Sequence, residues 1–303
     1  LGLVAAHELG QANALARLDA AADLLAATPL GALSLDDWRA RWSVAFNAPM
    51  ADAVPPLLAG RTVAVARDAA FAFIYPANLE TLRALGARLV FFSPLAGDAL
   101  PACDALWLPG GYPELHAAAL AARSDLRDQL HAHASAGKAI WAECGGLMVL
   151  MDELVTVDGA AHTLWGLLPG TARMQKELVG LGMQAWHGVA GFAPSPAGGG
   201  LGWGPPASAI GTLSVPHPNP LPSGEREQSH PLPLAGEGRG EGGGLPTAAG
   251  PTLRGHSFHY GVCDTPLAPI VHTTHAPGSA RRQGEAVYAQ GAVRGSFFHA
   301  WFA

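Results

Sequence analysis

The chain has 303 residues, of which 49% are hydrophobic and 14% charged, and its formal net charge is −6 at pH 7. This composition allows a sizeable core and argues against a nucleic-acid surface. The three cysteines (Cys103, Cys144 and Cys263) are too few and too scattered for a disulfide framework or a zinc site, so we expect a reducing, cytoplasmic setting. No apolar run reaches the length of a membrane span and no signal peptide is visible, so we expect no membrane partner.

Helical patterns come first along the chain. Residues 8–27 are rich in Ala, Leu and Asp, and Ser34 precedes a second helical stretch as an N-terminal cap. Pro55 and Pro56 mark a linker. Strands are then predicted at residues 62–66, 88–92, 105–108 and 139–142, and helices at 78–85, 126–136 and from about 145. This alternation predicts an α/β fold with a doubly wound, mostly parallel, flavodoxin-like sheet, whose ligand site lies at the carboxyl ends of the strands.

Residues 194–250 have a different composition. Between Pro216 and Pro246, 7 Pro and 7 Gly occur among 31 residues. Such a segment does not sustain the interior of a helix or strand, so we predict a disordered insertion without a catalytic role.

Residues 139–148 (AIWAECGGLM) carry the strongest chemical signal. A short apolar strand ends at Cys144 and a helix follows, with the small residues Ala142 and Gly146 two positions to either side, which is typical of a nucleophile elbow. A thiol there lies at a helix N-terminus, where we expect free N–H groups and the helix dipole to favour the thiolate. The motif predicts an enzyme that works by covalent thiol chemistry.

Paired glycines at the end of another strand supply candidate oxyanion donors. Gly110 and Gly111 follow the strand at 105–108, and Gly–Gly lets the backbone turn tightly and present its N–H groups. Acyl transfer needs two such donors, and Gly111 and Gly145 are the best candidates. A plain β-turn is the alternative interpretation of this glycine pair.

A cysteine nucleophile usually needs a histidine base, and the chain has 13 histidines. His299 is the best placed, because a short apolar strand at 292–298 precedes it, although a histidine in such a place is more often structural. His256 and His259 form the second choice. Their spacing would suit a metal, but no further ligand set is evident, so no metal site is predicted.

Four motifs in order carry a resemblance: VAVARDAAF (63–71), LPGGYPE (108–114), AECGGLM (142–148) and RGHSFHY (254–260). Together they resemble the class I-like glutamine amidotransferase part of the cobyrinic and hydrogenobyrinic acid a,c-diamide synthase family. The resemblance covers most of residues 1–190 and 251–303. It implies that residues 1–55 are the end of an ATP-dependent synthetase domain and a linker. Residues 56–303 would then form the amidotransferase domain, interrupted at 194–250.

The resemblance also implies a mechanism. Cys144 would attack the side-chain amide of L-glutamine and release ammonia, with His299 activating the thiol and Gly111 and Gly145 holding the oxyanion. Ammonia would then serve ATP-dependent amidation of the a and c carboxylates of cobyrinic or hydrogenobyrinic acid. No cofactor is expected on this chain, and ATP and Mg²⁺ are expected in the missing domain. A weaker implication is that four residues line the glutamine pocket or the domain interface: Arg67, Tyr112, His256 and His259.

The sequence departs from the family pattern in several places. Trp301 stands two residues after His299, where related amidotransferases carry Glu, so a Cys–His dyad is predicted. Ser257 stands where the family usually has Glu. No G-x-x-x-x-G-K-[ST] motif occurs, and the chain begins with Leu1, so we expect a fragment without the ATP-binding part. Two alternatives stay open: an inactive remnant that acts at most as a binding scaffold, and a different cysteine hydrolase on the same fold.

Overall fold

A computed structural model describes residues 12–45, 55–187, 252–275 and 283–302. The predicted insertion at 194–250 lies outside these ranges. Two exposed helices come first, α1 (Ala12–Ala26) and α2 (Leu35–Trp42). The hydroxyl of Ser34 accepts the Asp37 N–H at 3.1 Å, and the Asp37 carboxylate accepts the Ser34 N–H at 3.2 Å. This reciprocal pair confirms the predicted cap of α2.

The remaining elements alternate between strand and helix as far as residue 150. The helices are α3 (Pro76–Ala84), α4 (Ala117–Ala121), α5 (Ser124–Ser135) and α6 (Gly145–Leu150), with a 3₁₀ turn at Pro113–His116. The strands are β1 (Thr62–Ala66), β2 (Arg88–Phe92), β3 (Ala105–Leu108), β4 (Ala139–Glu143), β5 (Met151–Val155), β6 (Ala161–Thr163), β7 (Leu168–Met174), β8 (Gly180–Trp186), β9 (Leu253–His259), β10 (Gly261–Asp264), β11 (Val271–His275), β12 (Gln283–Gln290), β13 (Val293–Ser296) and β14 (His299–Trp301).

Ten of these strands form one sheet, in the order β14-β9-β8-β11-β12-β13-β4-β3-β1-β2. The run β2-β1-β3-β4-β13 pairs in parallel throughout, and we call it the parallel half. The run β12-β11-β8-β9-β14 pairs antiparallel, as does the junction of β12 with β13; we call it the antiparallel half. A smaller sheet has the order β10-β7-β5-β6. The predicted α/β fold class is confirmed, and the sheet it contains is mixed.

Strands of the parallel half are buried on both faces. In β3, Leu106 and Leu108 contribute to one hydrophobic cluster together with residues of α4, α5 and α6. Trp107, between them, contributes to a second cluster that contains Leu82 of α3. Because side chains alternate between the faces of a strand, helices must cover both faces of this half. That is the doubly wound arrangement, and it leaves the ends of the strands as the accessible edge.

The path to His299 differs from the prediction. A single strand over 292–298 was expected to deliver this histidine, but β13 ends at Ser296 and His299 begins β14, which pairs with β9 instead. The hydroxyl of Ser296 accepts the Phe298 N–H at 3.1 Å, so the backbone leaves the ladder of β13 at this point.

Within the described ranges, no helix combines the length and the apolar character that crossing a bilayer requires.

Candidate active site

Cys144 occupies a sharp turn between β4 and α6. Its backbone has φ 50° and ψ −107°, and it is the only non-glycine residue with a positive φ in the described part of the chain. Such a conformation costs on the order of 1–3 kcal/mol and persists where the surrounding structure enforces it. The helix packs closely behind the turn, because a Cβ added to Gly146 would lie 2.1 Å from the carbonyl oxygen of Leu108. The predicted nucleophile elbow is therefore present in the backbone.

The electrostatics of the Cys144 thiol contradict the sequence-based expectation. Burial raises the pKa of this thiol to about 12; the Gly145 N–H lowers it, whereas Glu114, Glu143 and Glu285 raise it further. The expectation that the helix N-terminus favours the thiolate is wrong here, because desolvation of an 8% exposed residue outweighs one N–H group. The thiol is neutral at pH 7, so nucleophilic attack needs a base.

The two predicted oxyanion donors are neighbours. A Cβ added to Gly145 would lie 3.2 Å from the backbone nitrogen of Gly111 and 3.0 Å from its oxygen. Gly111 is enclosed on its other side, where an added Cβ would lie 2.2 Å from the carbonyl oxygen of Ala70. Only glycine fits at both positions. The loop after β3 and the elbow therefore bring together two backbone segments whose N–H groups belong to the candidate donors.

His299 lies at the same end of the sheet as Cys144. The Cys144 N–H donates to the Ser296 carbonyl at 2.8 Å, which ties the elbow to the end of β13 three residues before His299. The imidazole is 3% exposed, and it stacks on His256 with ring centroids 4.9 Å apart. A Cβ added to Gly110 would lie 2.3 Å from Cε1 of His299, so the paired glycines pack directly on this ring.

His299 is neutral at physiological pH. Burial, and after it the charges of His256 and His259, lower the pKa of its imidazole to about 3. A neutral imidazole can accept a proton. In the described part of the chain, however, no hydrogen bond joins it to the Cys144 thiol, and its Nδ1 has no hydrogen-bond partner. The structure therefore places the predicted nucleophile and the predicted base at one site, but no hydrogen bond joins their side chains in the described part of the chain.

Glu143 is a buried carboxyl group to which the sequence analysis gave no role. Its Oε1 accepts the indole N–H of Trp141 at 2.7 Å and the N–H of Ala300 at 3.3 Å. Its Oε2 lies 4.0 Å from Nδ1 of His299. Burial raises the pKa of Glu143 to about 8, against the lowering effect of the hydrogen bonds from Trp141 and Ala300.

His256 and His259 have different surroundings. They are three residues apart on β9, so they point to opposite faces of that strand. His256 lies beside His299, and its Nδ1 is 2.7 Å from the hydroxyl of Tyr75. His259 stacks on Phe297 at 4.0 Å and its Nε2 lies 3.1 Å from Oε1 of Glu285. The structure therefore brings His256, but not His259, against His299.

Arg67 and Tyr112 lie at the ends of strands of the parallel half. The guanidinium of Arg67 is exposed and lies 5.3 Å from the centroid of the Phe91 ring. Tyr112 is partly buried and leads into the 3₁₀ turn at Pro113–His116. Their roles in a glutamine pocket or domain interface stay predictions.

Sequence reasoning missed the residues that pack around His299 from the segment between β1 and α3. The ring of Phe73 lies 4.6 Å from that of His299, and the Phe73 N–H donates to the Gly110 carbonyl at 3.0 Å. Asn78 is fully buried; its Nδ2 donates to the Ala300 carbonyl and its Oδ1 accepts the Phe302 N–H, both at 2.8 Å. A buried Asn at the start of a helix is a signal that could have been noticed, but its partners are more than 200 residues away.

Comparison with known proteins agrees with this geometry. Residues 62–185 match the CobB/CobQ-like glutamine amidotransferase domain. The matched range contains Cys144, Gly111 and Gly145, and it ends before the strand that carries His299. Thus the resemblance predicted from the four motifs is confirmed.

Curated relatives extend the match over nearly the whole chain. Hydrogenobyrinate a,c-diamide synthase of Stutzerimonas stutzeri is 38% identical over 99% of this chain and 53% of that protein. Cobyrinate a,c-diamide synthase of Herminiimonas arsenicoxydans is 36% identical over 100% of this chain and 53% of that protein. The chain spans about half the length of these relatives. Among solved structures, PurLQS from Thermotoga maritima is 15% identical, over 79% of this chain and 87% of that one, with a TM-score of 0.41.

Within the described residues, no group of three His, Cys, Asp or Glu side chains is arranged to hold a metal ion.

Proposed function

We propose that this chain is a glutaminase that supplies ammonia to an amidation reaction. The observation that carries the proposal is the elbow at Cys144, with its positive φ and with Gly145 packed against Gly111. A strained turn that places a thiol close to two backbone N–H groups suits acyl transfer from an amide. The CobB/CobQ-like amidotransferase match over this region supports glutamine as the acyl donor.

The proposed reaction has two stages. The Cys144 sulfur bonds to the amide carbon of glutamine while His299 takes the thiol proton and returns it to the departing nitrogen, which leaves as ammonia. The N–H groups of Gly111 and Gly145 hold the negative charge that develops on the amide oxygen. Water then attacks the glutamyl thioester, which releases glutamate and restores the thiol.

We infer further that the ammonia is used to amidate the a and c carboxylates of cobyrinic or hydrogenobyrinic acid. The names of relatives that match 99–100% of this chain support this inference. The reaction needs an activated carboxylate, which ATP and Mg²⁺ would provide in a domain joined to this one or bound to it. Since the sequence holds no G-x-x-x-x-G-K-[ST] loop, we assign that step to a part of the protein outside this chain.

Covalent labelling with a diazoketone analogue of glutamine tests the glutaminase proposal. We expect one adduct, located at Cys144 by intact mass and peptide mapping, and we expect free glutamine to suppress it. Cys103 and Cys263 serve as internal controls, because both thiols are present in the same chain. Equal labelling of the three cysteines, or none, would contradict the proposal and favour an inactive remnant. Labelling of Cys144 that glutamine does not suppress would favour a different cysteine hydrolase.

A further inference from the structure

His299 lacks the carboxylate partner that usually supports a catalytic histidine. The residue two positions later is Trp301, whose indole is only a hydrogen-bond donor and whose side chain is largely solvent-facing, at 46% exposure. Nδ1 of His299 is buried and has no hydrogen-bond partner in the described ranges. An unpartnered ring nitrogen leaves the tautomer undefined, and a base must keep the nitrogen that faces the thiol free of a proton.

A carboxyl group from another strand faces this nitrogen. Oε2 of Glu143 lies 4.0 Å from Nδ1 of His299, and the two side chains are 2% and 4% exposed. The other oxygen of Glu143 is held by two donors, the indole of Trp141 and the N–H of Ala300. These bonds fix the carboxyl group between the elbow and β14. Glu143 is thus adjacent in sequence to the nucleophile and adjacent in space to the base.

Glu285, which also acts on the thiol, is less suited to this role. Its Oε1 lies 3.1 Å from Nε2 of His259, and the His259 ring stacks on Phe297. Although burial raises its pKa, hydrogen bonds from His259, Ser257 and Gln184 and the charge of His259 keep the pKa of Glu285 below its ordinary value. The carboxylate of Glu285 therefore already interacts with partners other than His299.

We propose that Glu143 positions His299 for catalysis: its carboxylate accepts the Nδ1 proton, which leaves Nε2 free to take the proton of the Cys144 thiol. The inference rests on the proposed glutaminase function. The thiol proton moves to Nε2, the sulfur bonds to the amide carbon, and the same proton then leaves with the ammonia. In the active form Glu143 is ionised, and its negative charge offsets the positive charge on the imidazolium. A movement of about 1 Å turns the present 4.0 Å separation into a hydrogen bond, and catalytic contacts commonly tighten this way when substrate binds.

The proposal gives the reaction a definite pH dependence. The pKa of Glu143 is about 8, so its carboxylate form increases as the pH rises through that value. The ionisable groups around the pair are Cys144 on the elbow, Tyr75 before α3, and His256 of β9, which stacks on His299. The charge of His259, on the opposite face of β9, also acts on His299. Because the ionised form of Glu143 is the active one, the rate of glutamine hydrolysis rises with pH through about 8.

Three variants test the role of Glu143. Glu143→Gln keeps the size and the acceptor for Trp141 and Ala300 but presents an amide to His299. We expect kcat to fall by roughly 10²–10⁴-fold with little change in the KM for glutamine, and the rise through pH 8 to disappear. Glu143→Asp restores a carboxylate and should recover part of the rate and the rise. Glu80→Gln, an exposed change on α3, is the matched control and should leave both unchanged.

A second readout needs no glutamine. The rate at which iodoacetamide alkylates Cys144 should rise through pH 8 in the wild type. In Glu143→Gln the rate should rise only near the much higher pKa of the thiol itself.

Unchanged rates and pH profiles in a folded Glu143→Gln variant would overturn the inference and leave the glutaminase proposal intact. Equal losses in Gln and Asp variants with an unchanged pH profile would also overturn it, since they indicate a structural role only. A wild-type chain that ignores glutamine contradicts the proposed function, and the alkylation profiles still decide the role of Glu143.

Discussion

The two halves of the large sheet contribute different parts of the candidate site. The parallel half supplies the Cys144 elbow and the paired glycines, and its strands and helices follow local sequence patterns closely. The antiparallel half supplies His299 and His256, from strands that are far apart in sequence and that meet only through pairing. The candidate nucleophile is therefore encoded locally, whereas the environment of the candidate base depends on long-range contacts. Each prediction below perturbs one half or the connection between them.

The largest effect is expected for Cys144→Ser in the parallel half. The two side chains are nearly isosteric, so the fold should persist, but a hydroxyl is a much weaker nucleophile than a thiol at this site. We expect glutamine hydrolysis to fall below detection, measured as glutamate release, with an unchanged thermal unfolding midpoint. Wild-type turnover in this variant would remove Cys144 from the mechanism.

His299→Ala tests the antiparallel half. If His299 is the base, glutamine hydrolysis should slow by roughly 10²–10⁴-fold, because the buried thiol then has no proton acceptor at neutral pH. Steady-state kinetics at pH 7 and pH 9 measure the loss, which should shrink at the higher pH as the thiol begins to ionise unaided. His256→Ala is the comparison variant. A larger loss in His256→Ala than in His299→Ala would assign the base to β9.

Asn78→Ala tests the connection between the halves. This side chain joins the start of α3 to β14 through two buried hydrogen bonds, to the Ala300 carbonyl and from the Phe302 N–H. Their loss leaves two backbone groups unpaired and should lower the free energy of unfolding by about 2–3 kcal/mol. Urea denaturation measures this change. Asn78→Asp keeps the acceptor for Phe302 but sets a carboxyl oxygen against the Ala300 carbonyl in a fully buried site, so it should cost at least as much. A clearly smaller cost for Asn78→Asp would show that the bond from Phe302 carries most of the effect.

The smallest effect is expected for Arg67→Ala. The guanidinium lies over Phe91 at an exposed position, and such a contact contributes about 0.5–1 kcal/mol to stability. We expect a loss of this size in urea denaturation and a KM for glutamine within about twofold of the wild type. Arg88→Ala, on the neighbouring strand, provides an exposed arginine control. A tenfold rise in KM for Arg67→Ala alone would instead support the role in glutamine binding that the sequence predicted.

Much of the parallel half was predictable because its signals are short-range. The strands at 62–66, 88–92 and 105–108 were predicted with the bounds the structure has, since apolar runs flanked by turn residues define them. The elbow was predictable for the same reason, since small residues must flank a nucleophile on a tight turn. The domain boundaries at 1–55 and 56–303 stay predictions.

Other features were not predictable from local patterns. The segment expected to be one strand over 292–298 divides at Ser296, because its hydroxyl takes the Phe298 N–H and β14 pairs with a strand some forty residues earlier in the chain. The ionisation of Cys144 was predicted in the wrong direction, since the helix N-terminus was visible in the sequence and the depth of burial was not. Glu143 stood inside the recognised motif, but its distance from His299 depends on how β14 folds back.

The sequence by itself predicted an α/β fold, a candidate thiol nucleophile at Cys144, and glycines at the positions where two backbone segments approach closely. Local sequence motifs encode these properties, because each property depends on which residue types stand a few positions apart in the chain. Only the tertiary structure decided that Cys144 is neutral, that His299 is buried against His256 and Gly110, and that Glu143 faces the free ring nitrogen. Burial and long-range pairing set those properties, because desolvation and proximity depend on which distant segments meet in the folded chain.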